Sequence, residues 1–227
     1  MGQYPRFADD TTLQYFNCGA SPNLNITGAL SIDCWIKFKN VGVLANTRRL
    51  IFDRSTGGVG GYNFAINTFI TPGIPTLSLT KTAIISNDST VAIQENALTH
   101  VAYVWTGVNN SRFYRDGSLI QTIVEANAIL GAPAAIAYVN ALSVTYKYPA
   151  FIYNLNIYNR ALSTTEILYN KEHPNNPIRN GLQLALNQES FIGGVWKDKS
   201  PNAYDGTPVG SPLLIPSNNI AGRNGAL

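Results

Sequence analysis

The residues able to do acid–base or nucleophilic chemistry are few and scattered. The chain has 13 acidic residues and 2 histidines among 227. Cleaving a glycosidic bond takes two carboxyl groups facing one sugar linkage, about 5–9 Å apart. On a strand that requires acids at i and i+2 or i+4, where side chains share a face. From Asp9 to Asp205 the acids show no such grouping. His100 lies in an apolar strand pattern and His173 stands just before Pro174, and neither accompanies a Gly-x-Ser-x-Gly elbow. P-loop, dinucleotide-fingerprint and EF-hand patterns are missing as well. Gly57–Gly61 lacks the Lys-Ser/Thr of a phosphate loop and reads as a hairpin connection. The expectation is a chain without catalysis.

Two groupings suit binding instead. Asp198, Asn202 and Asp205 lie in one turn-rich segment and offer hard oxygen ligands of the kind calcium takes. Asx side chains that bond to backbone amides and hold the turn account for the same residue types. Calcium is therefore the sole cofactor to consider, and the reading without a cofactor is preferred. Sugar recognition needs an aromatic platform with amides and carboxylates matched to hydroxyls. The chain has 12 tyrosines, and the candidate rim comprises Asp53, Arg54, Tyr62, Asn63, Asn109, Asn110, Tyr146 and Tyr148. Tyr and Asn also furnish ordinary strand surfaces and turns, so the rim is an expectation for the structure to test.

Composition bounds the partners. Charged residues make up 13% of the chain, against about 25% in typical soluble domains, so the surface must be polar through amides and hydroxyls. The net charge of +3, from 16 basic and 13 acidic residues, is too mild to imply nucleic acid. No apolar run approaches the roughly 18 residues of a membrane helix, so membrane insertion is not expected, and the N-terminus has no signal-peptide core. Cys18 and Cys34 sit in apolar strand patterns as small hydrophobes, a single disulfide between them being the alternative. The sequons at Asn25, Asn87 and Asn109 matter only for a secreted, glycosylated chain. The length fits one large all-β domain or two small ones.

These residues must be positioned by strands. Short alternating runs punctuated by Gly, Pro and Asn predict an antiparallel sandwich. The clearest strand is 30–38, where Leu30, Ile32, Cys34, Ile36 and Phe38 point one way and Ser31, Asp33, Trp35 and Lys37 the other. Further strands are predicted at 13–18, 49–53, 62–67, 76–80, 99–105, 111–115, 118–124, 141–145 and 148–158. Asp116-Gly117 predicts a tight hairpin turn. One helix is predicted, opened by the capping box Ser163-Thr164-Thr165-Glu166 and stopped by His173-Pro174.

Several of these segments resemble one family. Ala29–Lys37 is similar to the strand written "fTisaWvk" in laminin-G-like, concanavalin A-like jelly rolls. Thr99–Val104 resembles the family's "HvA" strand, and Phe113-Tyr114-Arg115-Asp116-Gly117 its "lYvdG" hairpin. Phe151–Ser163 resembles "f.G.id.vriYnraLs", with Ile152-Tyr153 standing where the family often has Gly. The resemblance runs from residue 7 to 172 and implies an all-β, two-sheet antiparallel jelly-roll sandwich with one short helix. The family's hydrolases carry Glu-x-Asp-x-x-Glu, which this chain lacks.

The tail resembles segments that usually open the domain: Gly181–Leu186 is similar to "GLvlylpl" and Trp196–Thr207 to "v.DlSgngndGt". The resemblance therefore implies a circularly permuted single domain over 1–227. Residues 1–172 would form the main sandwich, 173–180 the linker at the joint, and 181–227 the strands completing it. Strand exchange with a neighbouring subunit is the alternative.

The family and the low-charge, Tyr/Asn-rich surface together imply a non-catalytic, lectin-like module binding glycans or a cell surface. Its expected setting is a virion or extracellular surface, and a homo-oligomer or assembly partner is expected. A purely structural capsid or decoration protein is the second reading, because an amide-rich surface loses little when packed against copies of itself. A glycoside hydrolase is third.

Overall fold

The computed structural model describes residues 3–7, 14–38, 48–55, 60–67, 74–82, 85–140 and 150–216. In chain order the strands are β1 (Gln3–Arg6), β2 (Tyr15–Asn17), β3 (Leu30–Phe38), β4 (Arg48–Ser55), β5 (Gly61–Asn67), β6 (Thr76–Thr82) and β7 (Ile85–Ala92). They continue as β8 (Thr99–Trp105), β9 (Asn110–Arg115), β10 (Ser118–Val124), β11 (Tyr138–Val139) and β12 (Ala150–Tyr158), followed by helix α1 (Thr164–Glu172). The last are β13 (Leu182–Asn187), β14 (Phe191–Ile192), β15 (Val195–Trp196), β16 (Thr207–Val209) and β17 (Leu213–Pro216).

The strands build two large antiparallel sheets. The first runs β10-β9-β8-β3-β12-β1-β17, with β13 also on β12. The second runs β16-β2-β11-β4-β5-β6-β7. The predicted alternation of β3 is seen in full: Leu30, Ile32, Cys34, Ile36 and Phe38 all enter the core between the sheets. They meet Phe16, Phe52, Phe64, Leu77, Leu79 and Val139 of the second sheet. Asp116 and Gly117 both have positive φ, at 51° and 80°, as the tight β9–β10 turn requires. Tyr153, beside the family's missing Gly, falls where the β12–β3 register shifts, so the departure is taken up by a bulge.

The tail is part of the same sheets. β13 pairs with β12 from Asn154↔Asn187 to Tyr158↔Leu182, β17 pairs with β1, and β16 pairs with β2. Trp196 is fully buried, 5.3 Å from Phe16 and edge-on to it. Cys18 and Cys34 are both buried and free, so the disulfide alternative is not realised.

The predicted helix is present with both halves of its capping box: Glu166 N–H donates to Ser163 Oγ (3.3 Å), and Ser163 N–H donates to Glu166 Oε2 (2.9 Å). It covers the outward face of the first sheet, where Ala102, Val104, Tyr114, Tyr158, Leu162, Ile167, Leu182 and Ala185 form a second apolar cluster. Strand β7 was missed by the sequence reading because Ser86-Asn87-Asp88-Ser89-Thr90 looks like a polar loop. It is the edge of the second sheet, where backbone pairing with β6 fixes the chain without an apolar side-chain pattern.

Candidate functional site

The outward face of the second sheet carries a continuous polar row. Directly opposed residues in an antiparallel pair put their side chains on one face. The registers Thr207↔Asn17, Asn17↔Tyr138, Tyr138↔Asp53, Asp53↔Asn63 and Asn63↔Thr80 therefore line these residues up across β16, β2, β11, β4, β5 and β6. Their neighbours in sequence, Phe16, Val139, Phe52, Phe64 and Leu79, are all fully buried on the other side. Adjacent members stand about 4.8 Å apart, the spacing of the strands.

Thr207 is exposed, and Asn17, Tyr138, Asp53 and Asn63 are half-buried. Tyr15, also half-buried, meets Tyr138 edge-to-face at 5.3 Å between ring centres. The two rings make an aromatic corner beside the carboxylate. Asp53 Oδ1 accepts a hydrogen bond from Ser55 Oγ at 2.7 Å. Burial pushes the Asp53 carboxyl above its ordinary pKa, against the opposing effect of the Ser55 hydrogen bonds. Burial, then the neighbouring Tyr15 and Asp53, raises the Tyr138 phenol in turn. Asn63 Oδ1 and Thr80 Oγ1 are buried without any hydrogen-bond partner. Farther along the sheet the same face closes: Ala65, Asn67, Thr76 and Ser78 are buried, and Asn67 Nδ2 donates to Asp88 Oδ1 at 2.8 Å.

Of the rim expected from sequence, Asp53 and Asn63 are thus brought side by side. Arg54 and Tyr62 are a correction. Both face inward, at 0% and 1% exposure, because Arg54 opposes Tyr62 one position on from the Asp53–Asn63 pair and strand side chains alternate. Arg54 donates to Asn25 Oδ1 (3.2 Å), Ala132 O (3.0 Å) and Ser21 O (3.2 Å), and Tyr62 Oη donates to Leu24 O (3.0 Å). They hold the 21–25 and 130–132 loops together. Asn109 and Asn110 lie on the first sheet, at the turn between β8 and β9, so they do not join Asp53 and Asn63. Asn109 is exposed with φ 64°, and its carbonyl accepts from Glu125 N–H at 2.9 Å. Tyr146 and Tyr148 lie outside the described residues.

The calcium alternative at Asp198, Asn202 and Asp205 is also corrected. Asp198 Oδ1 accepts from the amides of Ala185 and Ser200, and Oδ2 from Tyr204 N–H and Ser200 Oγ, all at 2.7–2.8 Å. Asp205 accepts from Asp198 N–H at 3.0 Å and pairs with Lys197 at 2.6 Å. Burial opposes ionisation of Asp205, but Lys197 and that amide outweigh it and hold the carboxyl below its ordinary pKa. Asn202 bridges Asn23 (2.6 Å) and Gln183 O (2.9 Å). The carboxylate oxygens are taken by donors, and an ammonium stands where a cation would approach. These are the ties of a turn. Among the described residues no group of three or more His, Cys, Asp or Glu is placed to hold a metal.

His100 and Asp33, the other acid–base pair in reach of one another, are 3.6 Å apart and fully buried beneath α1. Both ring nitrogens of His100 are buried without a hydrogen-bond partner, and the pair is closed to solvent.

A family model of the concanavalin A-like lectin/glucanases superfamily matches residues 10–168, more than half of the chain. The chain belongs to this superfamily. No curated protein matches the sequence. Among solved structures, this superfamily fold is shared with a candidate carbohydrate binding protein from Bacteroides ovatus, at TM-score 0.69 and 15% identity, covering 95% of this chain and 60% of that one. It is shared too with the native heptameric SAP-like pentraxin of Limulus polyphemus, at TM-score 0.59 and 15% identity, covering 94% and 92%. A third is domain 4 of AbnA, a GH43 extracellular arabinanase from Geobacillus stearothermophilus in complex with arabinotriose, at TM-score 0.50 and 15% identity, covering 65% and 68%. The chain thus spans less than two thirds of the Bacteroides protein's length.

The sequence reading missed Tyr15, Asn17, Thr80 and Tyr138. A signal for the first two was present, since Phe16 between them marks an alternating strand. Tyr138 and Thr80 join the row only through strand pairing.

Proposed function

We propose that this chain is a non-catalytic, lectin-like module that binds a neutral glycan on the polar row of the second sheet. The observation that carries the reading is the row itself, with Asn17, Tyr138, Asp53 and Asn63 side by side and half-open on one face. Tyr15 and Tyr138 offer apolar ring faces for the C–H faces of a pyranose or furanose. A neutral ligand suits a row with one carboxylate and no cationic side chain. The B. ovatus and AbnA structures, named for carbohydrate binding and for an arabinotriose complex, support the same ligand class.

Titration with neutral oligosaccharides, arabinotriose among them, tests this. Binding to the natural chain that is lost in Tyr138→Ala sustains the proposal; binding unchanged in that variant moves the site elsewhere on the molecule. Hydrolysis of the same oligosaccharides by the natural chain would overturn the non-catalytic part.

A second reading has its own observation. Strand β10, the edge of the first sheet, carries no charge, and its Leu119 and Val124 are 47% and 82% exposed. An uncharged edge strand is a template for pairing with another chain, which suits a repeated assembly such as a virion or other surface layer. A strict monomer at all concentrations by size exclusion would remove it.

A further inference from the structure

A second buried polar cluster lies where β6 and β7 meet β9 and the end of β10. Lys81 of β6 is fully buried between the sheets, with its ammonium 3.2 Å from the centre of the Trp105 ring. Glu125, just past β10, is 5% exposed. Its Oε1 accepts from Lys81 Nζ, Asn87 Nδ2 and Ser111 Oγ together, while its Oε2 is buried with no partner. Asn87 is 6% exposed and also donates to Ser111 Oγ at 3.0 Å; Ser111 Oγ in turn lies 2.6 Å from Tyr103 Oη.

Asn87 opposes Leu79 across the β6–β7 pair, and the register shifts between Thr80 and Thr82, so Lys81 is the extra residue of a bulge. The two side chains meet on one carboxylate oxygen, Glu125 Oε1. A buried ion pair kept for stability has its remaining lone pairs satisfied. This one leaves Glu125 Oε2 empty-handed and crowds an amine and a carboxamide onto the other oxygen.

We propose that Lys81 and Asn87 are reactants of a self-catalysed amide cross-link, with Glu125 as the proton relay. Glu125 Oε1, which already accepts from it, takes a proton from the Lys81 ammonium, freeing the Nζ lone pair. That pair forms the Nζ–Cγ bond to Asn87, and the carbonyl π pair moves onto Oδ1. One of the two protons still on Nζ passes through Glu125 to Nδ2. The Oδ1 pair then re-forms the carbonyl, the Cγ–Nδ2 bond breaks, and nitrogen leaves as ammonia. With the proton first taken from Lys81 it departs as ammonium, and Glu125 is again a carboxylate. No oxidant, metal or co-reactant is consumed. Burial favours the neutral amine, pulling Lys81 below its ordinary pKa against the raising effect of Glu125.

The test is the mass of a tryptic digest of the natural chain. Lys81 is the sole tryptic site between Arg54 and Arg112. The cross-link blocks cleavage there, so residues 55–112 are expected as one peptide about 17 Da lighter than its sequence mass, the loss of one ammonia. Separate, unmodified peptides 55–81 and 82–112 would overturn the proposal. A link from Lys81 to Glu125 with loss of water would overturn the assignment to Asn87. Glu125→Gln, checked for a cooperative melt, is expected to give the two separate peptides, and a cross-linked Glu125→Gln chain would remove Glu125 from the mechanism. The digest locates the lost ammonia, which separates it from succinimide formation at Asn180-Gly181 or Asn224-Gly225.

Discussion

Both sheets carry polar rows on their outward faces, and the two rows are finished in opposite ways. On the first sheet, Asp33 accepts from Asn156 Nδ2 (3.0 Å) and Asn170 Nδ2 (2.7 Å), and Asn170 also donates to Tyr158 Oη (2.9 Å). Asp33, Asn156, Asn170 and Tyr158 are at most 1% exposed beneath α1. On the second sheet, Asp53, Asn63 and Tyr138 are the same residue types at the same kind of position, yet they are half-buried and two oxygens in their row lack partners. Residue type therefore does not separate a support from a site. What separates them is cover: α1 buries the first row, and the second stays half-open.

The largest expected effect comes from removing the tail. Truncation after Lys171 deletes β13, which pairs with β12, and Trp196, which packs on Phe16. The truncated chain is expected to show no cooperative thermal unfolding; a soluble, cooperatively melting product would mean the tail is dispensable to the sandwich. Next, Asp33→Ala leaves two buried amides without their acceptor, and at about 1–3 kcal/mol for each unsatisfied group the loss should be roughly 2–6 kcal/mol in urea unfolding. Oligosaccharide affinity of the folded variant should stay unchanged, and a parallel loss would erase the distinction between the two rows.

Tyr138→Ala should act the other way, with a drop of about tenfold or more in affinity, equivalent to about 1.4 kcal/mol, and little change in melting temperature. Asp53→Asn sharpens the contrast. A carboxyl whose folded pKa is raised binds protons more readily folded than unfolded, so its burial costs stability at neutral pH and that cost is relieved as pH falls through the folded value. The neutral amide should therefore raise stability slightly at pH 7 while weakening glycan binding. Mild stabilisation with full affinity would take Asp53 out of the site.

The smallest effect concerns the lid itself. Arg160, and to a lesser extent the Ser163 amide, hold the Glu166 carboxyl down to about 2 against the opposing effect of burial. A depressed folded pKa gives stability that is present above the unfolded value and lost as pH falls through the folded one. The contribution should therefore fade between the ordinary carboxylate range and about pH 2. Because the pair is partly exposed it is worth under about 1 kcal/mol, and Glu166→Gln should flatten that part of the acid-stability curve.

Much of this was legible in the residues. The alternation of β3, the Asp116-Gly117 turn and the Ser163–Glu166 box are local signals, each completed by residues within a few positions, so pattern and chemistry suffice to place them. Strand β7 was not legible, because an edge strand need not alternate. Arg54 and Tyr62 were misjudged for a related reason. A polar residue on a strand looks like surface until the register shows which way it points, and Arg54 lies inside because Ser21, Asn25 and Ala132 meet it there.

The sequence by itself determined the all-β class, the helix and its cap, the core stripe of β3, and a scarcity of charge that suits neutral glycans and neighbouring subunits alike. Only the tertiary structure decided that Asp53, Asn63, Tyr138 and Thr80 form one row, drawn from strands up to 85 positions apart (residues 53 to 138). It alone decided that Asp198 and Asp205 tie a turn, and that Lys81, Asn87 and Glu125 share one buried corner. The physical reason is the same in each case. Strand pairing is set by backbone hydrogen bonds and the burial of whole faces. The neighbours it brings together across the sheet leave no mark in the local sequence.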